Sequence, residues 1–264
     1  MAAYVQDAIV LLGDSLTQGA NAPYGFSQQL AYTYNRQLDV INRGFGGYNT
    51  AWAIPVFEQC LTKRDQRQNA PKVRLLTIWF GANDACLPGF RQHVPLDLFS
   101  ENLTKLIHMV SSAKSEYYSP ETRVILLTPP PVNTNQRGND RDFETTSKYA
   151  DAVREVGKKE NVPIVDVWTL LWEGCGKVEG NLTKYLTDGL HVNAEAYELI
   201  FQDIMRTIST HYPEYRHDKL DVVFKRQGVT SYILRSHYSY PVYSWDEVNP
   251  ENPGPDLQKR DIFS

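Results

Sequence analysis

The sequence predicts an α/β fold: a parallel five-stranded sheet with helices on both faces. Three observations carry this. Short apolar runs of strand length alternate with longer stretches of helical periodicity. The runs are continuous rather than alternating, as expected of strands buried on both faces. Glycine, proline or Asn-Asp groups close most of the runs. Strands separated by helices imply parallel pairing through crossover connections.

Ala8-Ile9-Val10-Leu11-Leu12, ending at Gly13, is the first strand. A helix is expected from Gly25 to Asn35, then a short second strand at Val40-Ile41-Asn42. Ala51 to Leu61 is helical in pattern, and Lys63 to Ala70 reads as a charged polar loop. Val73 to Phe80 is the third strand. Leu98 to Ala113 is an amphipathic helix, with Leu103, Leu106, Ile107 and Val110 at helical spacing. Val124 to Leu127 is the fourth strand, stopped by Pro129-Pro130-Pro131. A helix from Phe143 to Glu160, a fifth strand from Pro163 to Val167 and a last long helix from Ala194 to Ser209 complete the pattern. Beyond about His211 the chain becomes rich in Tyr, Pro and charge. Residues 1–215 are therefore read as one domain. Residues 216–264 are read as an aromatic- and Pro-rich extension, packing on the domain or on a neighbouring subunit.

Composition narrows the function classes. The 264 residues are 42% hydrophobic, enough for a sizeable core. A net charge of −4 and scattered Lys and Arg give no basic stripe, so no nucleic-acid partner is expected. Three cysteines, Cys60, Cys86 and Cys175, lack paired spacing and argue against a disulfide framework or a Cys-based zinc site. The spacing of His211 and His217 is equally unsuited to a metal, and no cofactor is expected. Met1 to Asp7 has no basic-then-apolar segment, so no signal peptide is expected. No apolar run is long enough to span a membrane, and the cytoplasm is the default location.

Ligands of parallel sheets bind beyond the carboxyl ends of the strands, and four polar motifs fall in that part of the pattern. Gly13-Asp14-Ser15-Leu16 follows the first strand. It is not a Gly-x-Ser-x-Gly elbow, because Thr17 holds the last position. Gly44-Phe45-Gly46-Gly47-Tyr48 follows the second strand, and Gly81-Ala82-Asn83-Asp84 the third. Asp188-Gly189-Leu190-His191 precedes the last long helix. Each alone also suits a turn or a helix cap. Together they supply the parts of acyl transfer. A serine hydroxyl needs a base, imidazole titrates near neutrality, and the base needs a carboxylate partner. The oxyanion of the tetrahedral intermediate needs fixed donors, which an Asn amide and a glycine N–H provide.

In chain order these segments resemble the four blocks of the SGNH (GDSL-type) hydrolase superfamily. The resemblance implies Ser15 as nucleophile, Gly47 and Asn83 as oxyanion donors beside the Ser15 N–H, and His191 as base with Asp188 its partner. Gly46 is adjacent, so the second block also fits one residue earlier. Arg43 to Tyr48, Phe80 to Cys86 and Leu186 to His191 are similar to the isoamyl acetate-hydrolysing esterase subfamily, over roughly residues 8–215. That similarity implies a flavodoxin-like, three-layer α/β/α sandwich, metal-free hydrolysis of small acyl esters, and a homodimer. Phe45, Trp79, Phe80, Pro130 and Val132 are expected to line the substrate pocket. The alternatives within the superfamily are a carbohydrate O-deacetylase and a thioesterase. Those of other classes are a flavodoxin-like nucleotide-binding module, which leaves Asp188 and His191 without a task, and a non-catalytic acyl-binding protein.

Overall fold

Apolar side chains on both faces of each central strand set the layering. The computed structural model describes residues 6–224, 229–235, 238–243 and 259–263. In chain order its strands and α-helices are β1 (Asp7–Gly13), α1 (Ser15–Gly19), α2 (Phe26–Thr33), β2 (Leu38–Gly44), α3 (Thr50–Cys60), β3 (Val73–Trp79), α4 (Leu96–Ser111), β4 (Arg123–Leu127), α5 (Thr134–Arg137), α6 (Phe143–Glu160), β5 (Ile164–Val165), α7 (Val167–Gly174), α8 (Ala194–His211), β6 (Val229–Arg235) and β7 (Tyr238–Tyr243). β1 to β5 form one parallel sheet in the order β2-β1-β3-β4-β5.

Alternation along the strands divides the core in two. Ile9 and Leu11 of β1, Leu75 and Trp79 of β3, and Ile125 and Leu127 of β4 pack with α2, α7 and α8. Ala8, Val10 and Leu12, with Leu76, Ile78, Val124 and Leu126, pack with α3, α4 and α6. Burying each large apolar side chain contributes about 1.5–3 kcal/mol, so both layers are held firmly to the sheet. The order also creates a switch point. The chain leaves β1 towards β2 and returns to the opposite side for β3, so the loops after β1 and β3 part and open a crevice at their carboxyl ends.

Several elements differ from expectation. The fifth strand is only Ile164–Val165, because Asp166 caps a new helix at Val167 by accepting the Thr169 N–H at 3.2 Å. The apolar Val167-Trp168-Thr169-Leu170-Leu171-Trp172 run does not betray this by periodicity alone. Arg64–Asn69, expected as loop, forms a 3-10 helix. The extension holds an antiparallel hairpin of β6 and β7. Residues 259–263 return to the sheet domain: the Arg260 N–H donates to Val223 O, and the Phe263 ring lies 3.8 Å from the Arg74 guanidinium. The rest of the aromatic and Pro-rich tail, including Trp245 and Asn249 to Pro255, lies outside the described residues, as do Met1 to Val5. Among the described residues, no helix is long and apolar enough to cross a membrane.

Candidate active site

β1 delivers Ser15 to the crevice. Asp14 caps α1 by accepting the Leu16 N–H at 2.8 Å, so the helix begins at the serine itself. The turn sits against β2 with no clearance. A Cβ on Gly44 would lie 2.0 Å from the Gln18 backbone nitrogen. The second strand must therefore end in glycine for α1 to take this position.

The segment before α8 brings His191 to the serine. Leu186 and Val192 form an antiparallel bridge, and the Thr187 N–H donates to His191 O at 2.8 Å. Inside that loop, Asp188 Oδ1 accepts the backbone N–H groups of Leu190 and His191 at 3.1 and 2.8 Å. This leaves Oδ2 for His191 Nδ1, 2.8 Å away. The other ring nitrogen, Nε2, lies 2.9 Å from Ser15 Oγ. A carboxylate can only accept, so Nδ1 carries the proton and Nε2 presents its lone pair to the serine hydroxyl. Burial works against the charge of Asp188. The backbone N–H of His191, its ring and the Leu190 N–H outweigh that and hold the carboxyl at about 2.

The loops after β2 and β3 meet at Asn83. The Gly46 N–H is taken by Gln18 Oε1 at 2.8 Å, while no acceptor among the described residues takes the Gly47 N–H. Gly47 has φ +81, a conformation suited to glycine, and its carbonyl is pinned by Gln92 Nε2 at 2.7 Å. Of the two adjacent glycines, Gly47 is thus the one with a donor to offer. Asn83, buried after β3, donates from Nδ2 to Tyr48 O at 2.9 Å and accepts at Oδ1 from Arg141 at 2.8 Å. Beneath these groups lie two fully buried carboxyls. Burial pushes Asp14 up to about 7 and Asp84 to about 6, the latter despite hydrogen bonds from the Thr50 hydroxyl and backbone N–H.

Four of the five residues expected to line the pocket are buried. Trp79, Phe80, Pro130 and Val132 are buried, with Trp79 only 1% exposed. The Trp79 indole N–H donates to Thr128 O at 2.9 Å, and its ring packs on Phe26 at 5.9 Å. Trp79 is the last residue of a strand covered on both faces, which keeps its side chain in the core. Phe45 is partly exposed, its ring 5.3 Å from that of Tyr48. Cys86 is buried, and burial pushes its thiol up, away from the reactive thiolate.

Sequence reasoning passed over Gln18, Gln92, Arg137 and Arg141. Arg137 donates to Asp188 Oδ2 at 3.1 Å. The two arginines sit in the polar stretch Arg137-Gly138-Asn139-Asp140-Arg141-Asp142. Such a stretch reads as an ordinary helix entry. Asp142 does cap α6, accepting the Thr145 N–H at 2.6 Å.

The doubly wound sheet and the Ser15–His191–Asp188 hydrogen-bond chain define an α/β protein in which a hydroxyl, an imidazole and a carboxylate are joined in series. Residues 11–199 match the GDSL-like Lipase/Acylhydrolase family. The chain is 34% identical over 207 residues to the isoamyl acetate-hydrolyzing esterase 1 homolog of Mus musculus, covering 74% of this chain and 79% of the relative. A GDSL esterase/lipase of Arabidopsis thaliana is 31% identical over 215 residues, covering 76% and 85%. Among solved structures, the lipase/acylhydrolase from Enterococcus faecalis has a TM-score of 0.56 at 26% identity, covering 77% of this chain and 96% of that one. A variant of an acetyl-xylooligosaccharide esterase from Geobacillus has a TM-score of 0.58 at 20% identity, covering 80% and 97%, and bears on the fold alone. The chain belongs to the GDSL-like lipase/acylhydrolase family and is a carboxylic ester hydrolase.

Proposed function

We propose that the protein hydrolyses small carboxylic esters of the acetate type through an acyl-enzyme on Ser15. The observation that carries this is the continuous hydrogen-bond chain from Ser15 Oγ through His191 to Asp188. His191 Nε2 takes the hydroxyl proton as Ser15 attacks the ester carbonyl. The oxyanion is held by the N–H groups of Ser15 and Gly47 and by the Asn83 amide. His191 then gives its proton to the departing alcohol. Water enters and attacks the acyl carbonyl as His191 takes its proton; the acyl–Oγ bond then breaks, His191 returns the proton to Ser15 Oγ, and the acid leaves. The relative named for isoamyl acetate hydrolysis supports an acetyl-sized acyl group. A phosphate-binding reading of the turn after β1 leaves the Asp188–His191 pair without a task.

The test is hydrolysis of p-nitrophenyl esters from acetate to octanoate by wild type and Ser15→Ala. Turnover biased to the short esters and lost in the variant is expected. Equal turnover by both proteins would remove Ser15 from the mechanism. A folded wild type inactive on every ester, but releasing acetate from an acetylated sugar, would replace the simple-ester reading with a carbohydrate O-deacetylase.

A further inference from the structure

Two arginines that ester cleavage leaves without a chemical role stand between the two halves of the site. Arg141 is 1% exposed, an unusual place for a cation. Its Nε donates to Ala82 O at 2.7 Å, one terminal nitrogen to Asn83 Oδ1 at 2.8 Å, and the other to the Asp140 carboxylate. Arg137, four residues earlier, donates to Asp188 Oδ2 at 3.1 Å, and its Nε forms an ion pair with Asp140 Oδ1 at 3.6 Å. Asp140 therefore sits between the two guanidinium groups. The chain Asp188–Arg137–Asp140–Arg141–Asn83 joins the carboxylate behind the base to the amide after β3.

The chemistry of Asn83 gives this contact a consequence. An amide has one accepting and one donating end, and the two have nearly the same shape. A guanidinium offers donors only, and a main-chain oxygen only accepts. Arg141 on one side and Tyr48 O on the other therefore decide which end points where. One Nδ2 proton goes to Tyr48 O, and the second is free to serve an oxyanion. If Arg141 is lost, Oδ1 is left buried without its donor, and an unpaired buried acceptor favours any rotation that finds it a new one.

We propose that Arg141, braced by Asp140, is a positioning residue that fixes the orientation of the Asn83 amide and so makes it an oxyanion donor. This rests on the reading of Ser15 and Asn83 given above. It also gives a reason for burying a cation next to a neutral amide. Hydrophobic replacement of buried ion pairs is often neutral or stabilising, whereas orienting a donor requires directed N–H groups.

The experiment is a double-mutant cycle on p-nitrophenyl acetate with Arg141→Met, Asn83→Ala and the double variant, plus Arg141→Lys. Asn83→Ala is expected to lower kcat by roughly 10²- to 10³-fold, the effect of losing one oxyanion donor. Arg141→Met should approach that loss with KM changed less than about threefold, and should cost less than about threefold when Asn83 is already Ala. Arg141→Lys, which keeps part of the donor set, should recover at least about tenfold over Met. Fully additive losses, or Arg141→Met with near wild-type kcat, would overturn the proposal while leaving the esterase reading intact. If wild type shows no Ser15-dependent turnover, that reading fails first. Neutron structures of Arg141→Met, and of Arg141→Lys if Met does not fold, then decide the orientation directly, because they locate the amide hydrogens that X-rays at ordinary resolution do not show. An Asn83 amide turned or displaced supports the proposal, and an amide unmoved in the variant refutes it.

Discussion

Replacing Asp188 by Asn isolates what the carboxylate does. In the folded protein Oδ1 holds two backbone N–H groups, of Leu190 and His191, while Oδ2 receives His191 Nδ1 and Arg137. An Asn of the same shape can keep Oδ1 on the backbone, so the loop survives. Its NH₂ then faces two donors. The imidazole escapes that clash by moving its proton to Nε2, which turns a donor towards Ser15 Oγ and leaves nothing to accept the hydroxyl proton. The corresponding change in a serine protease triad lowers kcat about 10⁴-fold, or about 5.5 kcal/mol at about 1.4 kcal/mol per tenfold. A similar loss is expected here, with KM little changed. The assay is steady-state hydrolysis of p-nitrophenyl acetate, with circular dichroism and thermal melting to confirm the fold. A loss below about tenfold in a folded variant would refute the tautomer argument.

The buried carboxyl of Asp14 makes stability depend on pH. Its folded pKa of about 7 lies above its ordinary value of 3.8, so its contribution is complete below 3.8 and is lost as pH rises towards 7. Asp14→Asn removes that dependence while an Asn oxygen can still cap Leu16. The Tm of the variant should therefore gain on wild type as pH rises from about 4 to about 7, and an unchanged Tm difference across that range contradicts the reasoning. Trp79→Phe deletes the indole donor and strands a buried carbonyl, for a loss of about 1–3 kcal/mol in denaturant melts. KM for the acetate ester should barely move, whereas a severalfold rise would return Trp79 to the pocket wall. Gly44→Ala drives a methyl into the backbone at Gln18. It should destabilise by about 1–3 kcal/mol or more, and it should lower kcat because Ser15 rides on the same short helix. A variant as stable and active as wild type would show that the turn after β1 can yield.

Some of this was legible without coordinates. Val73 to Phe80 reads as a doubly covered strand because its run is mostly apolar, and the observed strand, Val73–Trp79, ends one residue earlier. The helix from Phe143 to Glu160 was read to the residue, since its apolar spacing and its entry after Asp142 are local signals. Ser15, Gly47, Asn83, Asp188 and His191 stood out because each belongs to a short motif at a position where parallel sheets expose their loops. The helix at Val167 was missed because a short, mostly apolar run has no amphipathic period to read.

By itself the sequence determined which residues alternate, which loops follow strands, and which side chains have the chemistry of nucleophile, base and donor. These are properties of residues within a few positions of one another. Only the tertiary structure decided that Gln18 engages the Gly46 N–H while Gly47 keeps its own, that Trp79 closes the core, and that Arg141 reaches Asn83 across 58 positions. Such partners are chosen by where loops meet once the sheet has folded. Periodicity carries information over a helical turn or a strand, whereas a buried guanidinium is matched to its acceptors by position in space.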